Sequence, residues 1–251
     1  MPFKRKRIAI TGGSGDIGRR IVSRLIEQGA EVTVFGRSPP EDPRAVHVAC
    51  DLTLDEGLEA AAAALAGGRW DVLINLAGMQ YFGRFEDESA EHLGRTFALN
   101  LLAPVRLAQA VIPKMKCAGQ GRIVNVGSIF GSINFAHFAS YSSSKAGLRA
   151  FSQALRRELA GSGVEVTYVA PRAVETRFNS PKVRAFAQLT KMAMDDPDAV
   201  AGQILDAVSG RKREVYLGFP EAFFVRLNAL LPHVVDQALA AKDRRVAQLF
   251  S

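Results

Sequence analysis

The sequence has little of what marks several common classes of protein. It contains two cysteines, Cys50 and Cys117, which lie far apart and match no metal-binding or redox spacing. We therefore predict no metal site. After the basic run 4–7 the chain offers only a short apolar stretch and then glycines, which is too little for the apolar core of a signal peptide. We expect a cytoplasmic protein.

The sequence also lacks a long basic helix face with interleaved aromatic residues, although its net charge is +7. Nucleic-acid binding is therefore not expected, whereas an anionic cofactor is compatible with the charge. With 48% hydrophobic and 23% charged residues, the composition is that of a globular protein. No linker, repeat or low-complexity segment divides the chain, so we treat it as one domain.

What the sequence does have is a regular alternation of short apolar runs with amphipathic segments. This alternation predicts a doubly wound α/β fold, in which helices cover both faces of a parallel sheet. The predicted strands are Ile8–Thr11, Glu31–Phe35, Val46–Cys50, Val72–Leu76, Arg122–Gly127 and Val164–Ala170, with Arg213–Leu217 as a last candidate. The first predicted helix follows the glycine turn, and others occupy 55–66, 141–161 and 197–209. A long helical region follows the polar stretch 86–91, is interrupted near Asn100 and Pro104 and continues to about Lys116. Residues 172–196 are predicted to be polar and mobile.

The C-terminal part of the chain differs from the rest. We assign residues 1–218 to the α/β domain and residues 219–251 to an amphipathic extension with apolar residues at helical spacing. Arg226, Pro232 and Asp236 interrupt it too often for a membrane span. It could close over a lipid-like substrate, rest on a membrane surface or pack at a subunit interface, and we favour the interface.

A glycine-rich turn, Thr11–Gly18, joins the first strand to the first helix. Amide groups at a helix N-terminus can hold a pyrophosphate, and glycines let the backbone approach such a ligand closely. The turn therefore predicts a dinucleotide site rather than an ordinary tight turn.

Tyr141 and Lys145 stand one helical turn apart and share a helix face. A nearby ammonium favours the phenolate, so we expect Lys145 to lower the pKa of Tyr141 and make it a general acid/base. Taken alone, the pair could also be two surface residues.

Together these pieces resemble the short-chain dehydrogenase/reductase family, from Ile8 to about Leu217. The pieces that carry the resemblance occur in the order of that family: the turn 11–18, Asp51-Leu52-Thr53, Asn75-Leu76-Ala77-Gly78, Asn100, Ser128, Tyr141 with Lys145, and the run 171–176. The resemblance implies a Rossmann fold and an association into homodimers or homotetramers.

The resemblance also implies a role for each matching residue. Tyr141 would exchange a proton with the substrate oxygen, and Lys145 would lower the pKa of Tyr141 and bind the nicotinamide ribose. Ser128 would hold the substrate carbonyl, and Asn100 would order a water that links Lys145 to solvent. The implied cofactor contacts are Gly12, Ser14, Asp16, Ile17, Gly18, Arg37, Ser38, Asp51, Leu52, Asn75, Ala77, Gly78, Tyr141, Lys145, Pro171, Val174 and Thr176.

The end of the second strand predicts which nicotinamide cofactor is used. An acidic residue there would bind the adenosine ribose hydroxyls and repel a 2′-phosphate, whereas Arg37 and Ser38 supply a guanidinium and a hydroxyl. We therefore predict NADP(H) in preference to NAD(H). The alternative is that Arg37 is a solvated loop cation.

Two residues depart from the family pattern. Asp16 stands where the turn usually has its middle glycine, and its carboxylate would repel a pyrophosphate unless it turns away to cap the helix. Arg172 follows Pro171 where the family usually has glycine. It could narrow the nicotinamide pocket, reach an anionic substrate group or point to solvent.

The function that follows is an oxidoreductase that interconverts a ketone and a secondary alcohol, and we expect it to act as a carbonyl reductase. The segments 79–85, 129–138 and 172–191 carry many of the aromatic residues and would select an apolar or acyl-chain substrate. The alternative is a non-catalytic sensor of NADP(H) on the same fold, which the retained Asn100, Ser128, Tyr141 and Lys145 argue against.

Overall fold

Seven parallel strands form one sheet in the computed structural model, which describes residues 2–250. The strands are β1 (Arg7–Thr11), β2 (Glu31–Gly36), β3 (Val46–Ala49), β4 (Val72–Asn75), β5 (Gly121–Val126), β6 (Val164–Ala170) and β7 (Glu214–Tyr216). Their order across the sheet is β3-β2-β1-β4-β5-β6-β7. Because the chain reverses direction across the sheet between β3 and β4, the carboxyl ends of β1 and β4 flank a crevice, the usual place for a ligand in such sheets.

Helices cover both faces of this sheet. They are α1 (Asp16–Glu27), α2 (Asp55–Gly67), α3 (Ala90–Phe97), α4 (Ala103–Cys117), α5 (Ala139–Glu158), α6 (Pro181–Thr190), α7 (Pro197–Ser209), α8 (Glu221–Leu230) and α9 (Pro232–Val246). One apolar layer joins α1 and α7 to the sheet, and a second joins α2, α4 and α5 to its other face. The doubly wound parallel sheet predicted from the sequence is thereby confirmed.

The longest helical run is continuous from α3 into α4 but changes its winding on the way. Residues Ala98–Leu102 form a π-helical turn, and Asn100 is the buried residue within it. By length and composition Ala90–Cys117 would also suit a membrane span, a test that core helices pass as well. In this fold Leu107 and Val111 are buried against α2 and the sheet.

One prediction about secondary structure is wrong. Residues 172–196 contain α6, which begins at Pro181 after the N-cap Ser180, whose hydroxyl accepts a hydrogen bond from the Val183 amide at 3.3 Å. Val183 and Phe186 are buried. The helix is stabilised by this tertiary burial, because a helix of ten residues is marginal on its own.

The C-terminal extension folds back onto the α/β domain. Val225 of α8 and Val235 of α9 pack around Ile133, and Val246 lies in an apolar cluster with Phe138 and Phe186. A final short 3₁₀ turn spans Ala247–Phe250. The opposite face of the extension leaves large apolar side chains exposed: Phe219, Phe223, Phe224, Leu230, Leu231 and Val234.

Candidate active site

A cavity of about 500 Å³ opens at the carboxyl ends of the strands. It is lined by the glycine turn, by the ends of β2 to β5, by α5 and by the residues between β6 and α7, which we call the β6–α7 segment (residues 171–196). Of the site residues predicted from the sequence, the cavity is lined by Gly12, Ser14, Asp16, Ile17, Gly18, Arg37, Ser38, Asp51, Leu52, Ala77, Gly78, Ser128, Tyr141, Lys145, Pro171, Val174 and Thr176.

Two predicted residues lie behind the cavity instead of on its surface. Asn75 is 2% exposed, and its amide donates a hydrogen bond of 2.8 Å to the side chain of Asn125 on the next strand. It therefore couples β4 to β5 and is not placed to contact a cofactor. Asn100 is fully buried, and its carboxamide has protein partners on both sides.

The amide of Asn100 connects two parts of the site. Its Oδ1 accepts a hydrogen bond from the Met79 amide at 2.9 Å, while its Nδ2 donates to the Met79 carbonyl at 2.8 Å and to the Ser144 hydroxyl at 3.0 Å. The side chain thus holds the chain after β4 against α5. Lys145 is the next residue along α5 after Ser144.

The glycine turn brings two backbone segments into very close contact. A Cβ at Gly12 would lie 2.8 Å from the Ala77 amide nitrogen, and a Cβ at Gly18 would lie 2.1 Å from the Gly12 carbonyl oxygen. Gly12 also has φ of +72°, which favours glycine. The hydroxyl of Thr11 accepts hydrogen bonds from the amides of Leu76 and Ala77, both at 3.1 Å. These contacts fix the floor of the cavity.

The space beside Lys145 suits a ligand. A Cβ at Gly78 would lie 3.2 Å from Asn100 Oδ1 and 3.5 Å from Lys145 Nζ, so glycine keeps the room next to the ammonium free. The free N-terminus of α1 follows the glycine turn, with Gly15 as N-cap and no side chain capping it. The residues present therefore fit a dinucleotide, with its diphosphate at α1 and its nicotinamide end towards Lys145.

Tyr141 and Lys145 lie on one face of α5, and both are almost completely buried. The Lys145 ammonium donates a hydrogen bond of 3.1 Å to the Val126 carbonyl at the end of β5 and lies 5.9 Å from the centre of the Tyr141 ring. The sequence prediction that both would project into the same space agrees with this geometry. Tyr141 also contacts Phe130 and Phe178, with ring centres 6.2 Å and 6.3 Å away.

The expected lowering of the tyrosine pKa is wrong in direction. Burial raises the pKa of Tyr141 to about 12, and the Ser128 hydroxyl only partly opposes this. Burial likewise lowers the pKa of Lys145 to about 8. Desolvation is the main cause of both shifts, because each side chain is almost completely buried. Tyr141 is therefore a protonated phenol at neutral pH and can act as a proton donor.

Ser128 directly follows β5 and is held from several sides. Its Oγ accepts a hydrogen bond from the Phe130 amide at 3.1 Å. The hydroxyl of the buried Tyr168 donates to the Ser128 carbonyl at 3.3 Å and accepts from its amide at 3.4 Å. Tyr168 was not singled out in the sequence, where it is one more aromatic residue in a predicted strand.

Arg172 lines the cavity, and its guanidinium is bonded to other parts of the protein. Its guanidinium makes two hydrogen bonds to the Asp195 carboxylate, at 2.9 Å and 2.6 Å, and a third to the Phe219 carbonyl at 3.2 Å. Asp195 in turn pairs with Ala173 and Glu175 through the backbone. Arg172 therefore ties together the two ends of the β6–α7 segment and the start of the C-terminal extension.

The far end of the cavity is aromatic and apolar. Its lining includes Phe130, Phe138, Phe178, Val183, Phe186, Ala187, Met192 and Met194. A second layer supports these residues: Phe82 stacks on Phe138 with ring centres 4.6 Å apart, and Phe250 from the last turn of the chain lies 5.0 Å from Phe82. The contribution of Phe250 was missed in the sequence, where only its place at the end of an apolar helical pattern could have indicated it.

A dinucleotide-binding α/β sheet whose cavity holds a buried tyrosine and lysine on one helix face defines a class of nicotinamide-dependent oxidoreductases. The sequence model of the family described as short chain dehydrogenase matches residues 6–186. The chain belongs to this family. It is an oxidoreductase that acts on C–OH and C=O groups.

Similar proteins of known sequence or structure agree with this assignment. The ketoacyl reductase HetN of Nostoc sp. is 30% identical over 84% of this chain and 77% of its own. The 3-oxoacyl-[acyl-carrier-protein] reductase FabG of Vibrio cholerae is 30% identical over 90% of this chain and 94% of its own. A short-chain dehydrogenase of Burkholderia cenocepacia, solved in complex with NADP, is 26% identical, with a TM-score of 0.79 over 97% of this chain and 99% of that one.

The opposite pKa shifts of Tyr141 and Lys145 predict how pH acts on stability. Between pH 8 and its unfolded value of 10.5, Lys145 is neutral in the folded protein but protonated in the unfolded chain. The unfolded state then binds more protons, so the Lys145 contribution to the free energy of unfolding rises with pH in this window. From pH 7 to pH 10 we expect wild type to gain about 2–3 kcal/mol relative to Lys145→Met.

Urea unfolding of both proteins at pH 7 and pH 10 measures this difference. The tyrosines, whose raised pKa values reduce stability above pH 10, do so in both proteins. Their contribution therefore cancels in the difference in the free energy of unfolding between wild type and Lys145→Met. A difference that stays constant with pH would show that Lys145 keeps its charge despite its burial.

Proposed function

We propose that the protein is an NADPH-dependent reductase of apolar or acyl-chain ketones, with Tyr141 as the general acid. One observation carries this proposal. The phenol of Tyr141 lies near the buried ammonium of Lys145 and also borders the end of the cavity that is lined by phenylalanine and methionine. A substrate carbonyl that reaches the phenol would leave the rest of the molecule among these apolar side chains.

The proposed reaction requires Tyr141 to be protonated when the substrate binds. The nicotinamide, when bound, supplies hydride to the carbonyl carbon. Tyr141 donates its proton to the carbonyl oxygen, where negative charge develops, and Ser128 donates a hydrogen bond to the same oxygen. The Lys145 ammonium then stabilises the phenolate that remains. Its pKa of about 8 means that it is charged through most of the neutral range.

Residues that do not touch the substrate prepare this arrangement. Asn100 holds Met79 and Ser144, and so sets the position of α5 against the end of β4. Val126 accepts the hydrogen bond of Lys145 and fixes its ammonium. Tyr168 holds the backbone of Ser128 from behind. Each preorganises a group that acts in the transition state.

For the cofactor we propose NADP(H), held at the end of β2 by Arg37 and Ser38. Arg37 is exposed, lines the cavity and has no hydrogen-bonded partner among residues 2–250, so its guanidinium is available for a 2′-phosphate. The negative charge of the 2′-phosphate would thus be met by the positive charge of Arg37 at the end of β2. The NADP complex of the Burkholderia relative supports this choice.

For the substrate we propose a 3-oxoacyl thioester or another ketone with a long apolar group. The aromatic end of the cavity supports an apolar substrate, and the names of the two similar reductases, from Nostoc and Vibrio, are those of enzymes acting on ketoacyl groups.

We also propose that the protein works in the cytoplasm.

The exposed apolar face of the C-terminal extension is proposed to contact a second copy of the chain. Phe219 is 80% exposed and Leu230 is 78% exposed, which is unusual for side chains of this size. Between residues 219 and 236 the sequence has one arginine, Arg226, against Glu221 and Asp236. This part of the chain therefore offers no excess positive charge to an anionic membrane, which favours a protein partner.

Loss of the Tyr141 hydroxyl tests the proposed reaction. Tyr141→Phe should lower kcat on the order of 10²–10⁴-fold, because the proton donor is removed, and should leave the Kd for NADPH nearly unchanged. Turnover is measured as NADPH oxidation with medium- and long-chain 3-oxoacyl thioesters, cyclic ketones and quinones.

The matched control is Tyr216→Phe. Tyr216 is a half-buried tyrosine outside the cavity lining, bonded to Glu214 at 2.6 Å and to Ser132 at 3.0 Å. It should cost stability but not kcat. Equal turnover by wild type and Tyr141→Phe would refute the assigned role of Tyr141.

Arg37→Asp tests the proposed cofactor preference. Wild type should bind NADPH about 10–100-fold more tightly than NADH, as expected for one charge-assisted contact, and Arg37→Asp should reverse the preference. Titrations followed by cofactor fluorescence give the four dissociation constants. Arg44→Gln is the control, since Arg44 lies in the same loop but pairs with Asp42. Equal affinity of wild type for both cofactors would contradict the prediction.

The proposed subunit contact predicts a change of oligomeric state. Phe223→Glu with Leu230→Glu should convert the wild-type oligomer to a smaller species in light scattering, because two charges would be buried in the contact. Phe85→Glu is the control, since Phe85 is 58% exposed and Phe223 57% exposed, but on a different part of the surface. A monomeric wild type, or binding to anionic vesicles that the double variant loses, would overturn the proposal.

A further inference from the structure

Asp16, the residue that replaces the usual glycine of the turn, makes a contact with a distant part of the chain. Its Oδ2 accepts a hydrogen bond of 2.7 Å from the backbone amide of Arg177. Its Oδ1 accepts a second, of 3.2 Å, from Arg177 Nε, and lies 3.1 Å from Nη2 of the same guanidinium. Asp16 makes no hydrogen bond that caps α1.

This contact joins two walls of the cavity. Asp16 is the first residue of α1 and lies on the floor, where the glycine turn ends. Arg177 lies in the β6–α7 segment on the opposite wall, and both residues line the cavity. The bond between them therefore crosses the mouth of the space proposed for the dinucleotide.

The two halves of the contact differ in their exposure to water. The Asp16 side chain is 12% exposed, whereas that of Arg177 is 76% exposed. Solvent weakens an ion pair with so exposed a guanidinium, but it screens the hydrogen bond between the enclosed carboxylate and the backbone amide much less. The backbone bond should therefore carry most of the interaction.

The same contact reduces the repulsion expected between the Asp16 carboxylate and a pyrophosphate. A free carboxylate at the N-terminus of α1 would repel a diphosphate. Here the carboxylate is turned to Arg177, with Nε of Arg19 at 3.8 Å, and these neighbours lower the pKa of Asp16 and balance its charge. The Asp16 carboxylate is thus ionised, its negative charge is balanced by these two arginines, and its hydrogen bonds go to the opposite wall.

Other contacts hold the β6–α7 segment at different points. Arg172 and Asp195 fasten its two ends, and Gln80 Nε2 donates a hydrogen bond of 2.9 Å to the Phe178 carbonyl. Loss of the Asp16 contact would therefore loosen the middle of the segment beside the glycine turn without releasing its ends. This separates the function of Asp16 from the integrity of the fold.

We propose that Asp16 is a latch residue, whose carboxylate fastens the β6–α7 segment across the dinucleotide cleft and slows the release of the cofactor. The proposal rests on the proposed NADP(H) function. In it, the aspartate acts by positioning the wall that covers the cofactor, and it has no part in the chemical step.

The rate of NADPH release tests the latch. Bound NADPH is displaced with excess NADP⁺ in a stopped-flow instrument, and the loss of its fluorescence is followed. Asp16→Asn should release NADPH about 10-fold faster than wild type, because the charge-assisted bond to the Arg177 amide is weakened. Arg177→Gln keeps that backbone bond and should have a smaller effect. In the double variant the two effects should not add, as expected for residues in direct contact.

The control for the change in charge is Glu41→Gln. Glu41 is an exposed carboxylate that pairs with Arg19 at 3.2 Å and does not line the cavity. Its neutralisation adds the same positive charge near α1, so any general attraction for the diphosphate appears in it as well. Its release rate should match that of wild type.

Hydrogen exchange of the protein without cofactor gives a readout that is independent of binding and turnover. Peptides that contain the Arg177 amide should exchange faster in Asp16→Asn than in wild type, while peptides from β6 and α7 should not change. This result would show that the segment is loosened locally.

The outcomes separate the two proposals. If wild type binds neither NADPH nor NADH, the proposed function fails and the latch fails with it. If wild type binds NADPH but Asp16→Asn releases it at the same rate or more slowly, only the latch is overturned, and slower release would mean that the carboxylate repels the diphosphate. Faster release together with faster exchange at Arg177 would support the latch.

Discussion

The burial of Lys145 is the constraint on which the site depends. An ammonium that is 4% exposed is costly, and the fold has to compensate for it by fixing its partners. The Val126 carbonyl at the end of β5 accepts its hydrogen bond, and Gly78 leaves space beside it. The parallel sheet makes this possible, because the ends of β4 and β5 lie next to each other in register and α5 packs against β5.

The same burial decides which form of Tyr141 is present. A phenol enclosed by protein keeps its proton, so the residue enters the proposed reaction as an acid, in keeping with the reduction of a carbonyl. The expectation that the neighbouring lysine would dominate came from proximity alone. Proximity can be deduced from a four-residue spacing, but desolvation depends on everything that packs around the pair, including Phe130 and Phe138.

The segments that follow β6 illustrate how one departure from a family pattern can be absorbed elsewhere in the molecule. Arg172 and Asp16 both replace glycine, and each finds its partner far away in the sequence: Asp195 for the arginine and Arg177 for the aspartate. Both partners belong to the β6–α7 segment. Arg172 therefore joins the two ends of this segment to each other, and Asp16 joins its middle to the glycine turn.

The sequence by itself determined the order of the elements, the glycine turn and the helical spacing of Tyr141 and Lys145. These features depend on local periodicity and on residue chemistry, which can be read from neighbouring residues without knowledge of tertiary contacts. The resemblance of its motifs to the short-chain dehydrogenase/reductase family also indicated most of the residues that line the cavity. The π-helical turn was visible as an interruption near Asn100, though its geometry was not.

Only the tertiary structure decided the rest. α6 was missed because its stability comes from burying Val183 and Phe186, a contact that local sequence does not encode. Asn75 was placed at the cofactor by analogy, whereas its amide turns to Asn125 on the adjacent strand. The partners of Asp16 and Arg172, the return of Phe250 to the aromatic cluster and the direction of the Tyr141 pKa shift share one physical reason. Each depends on contacts between residues far apart in the chain, and these exist only once the whole fold has formed.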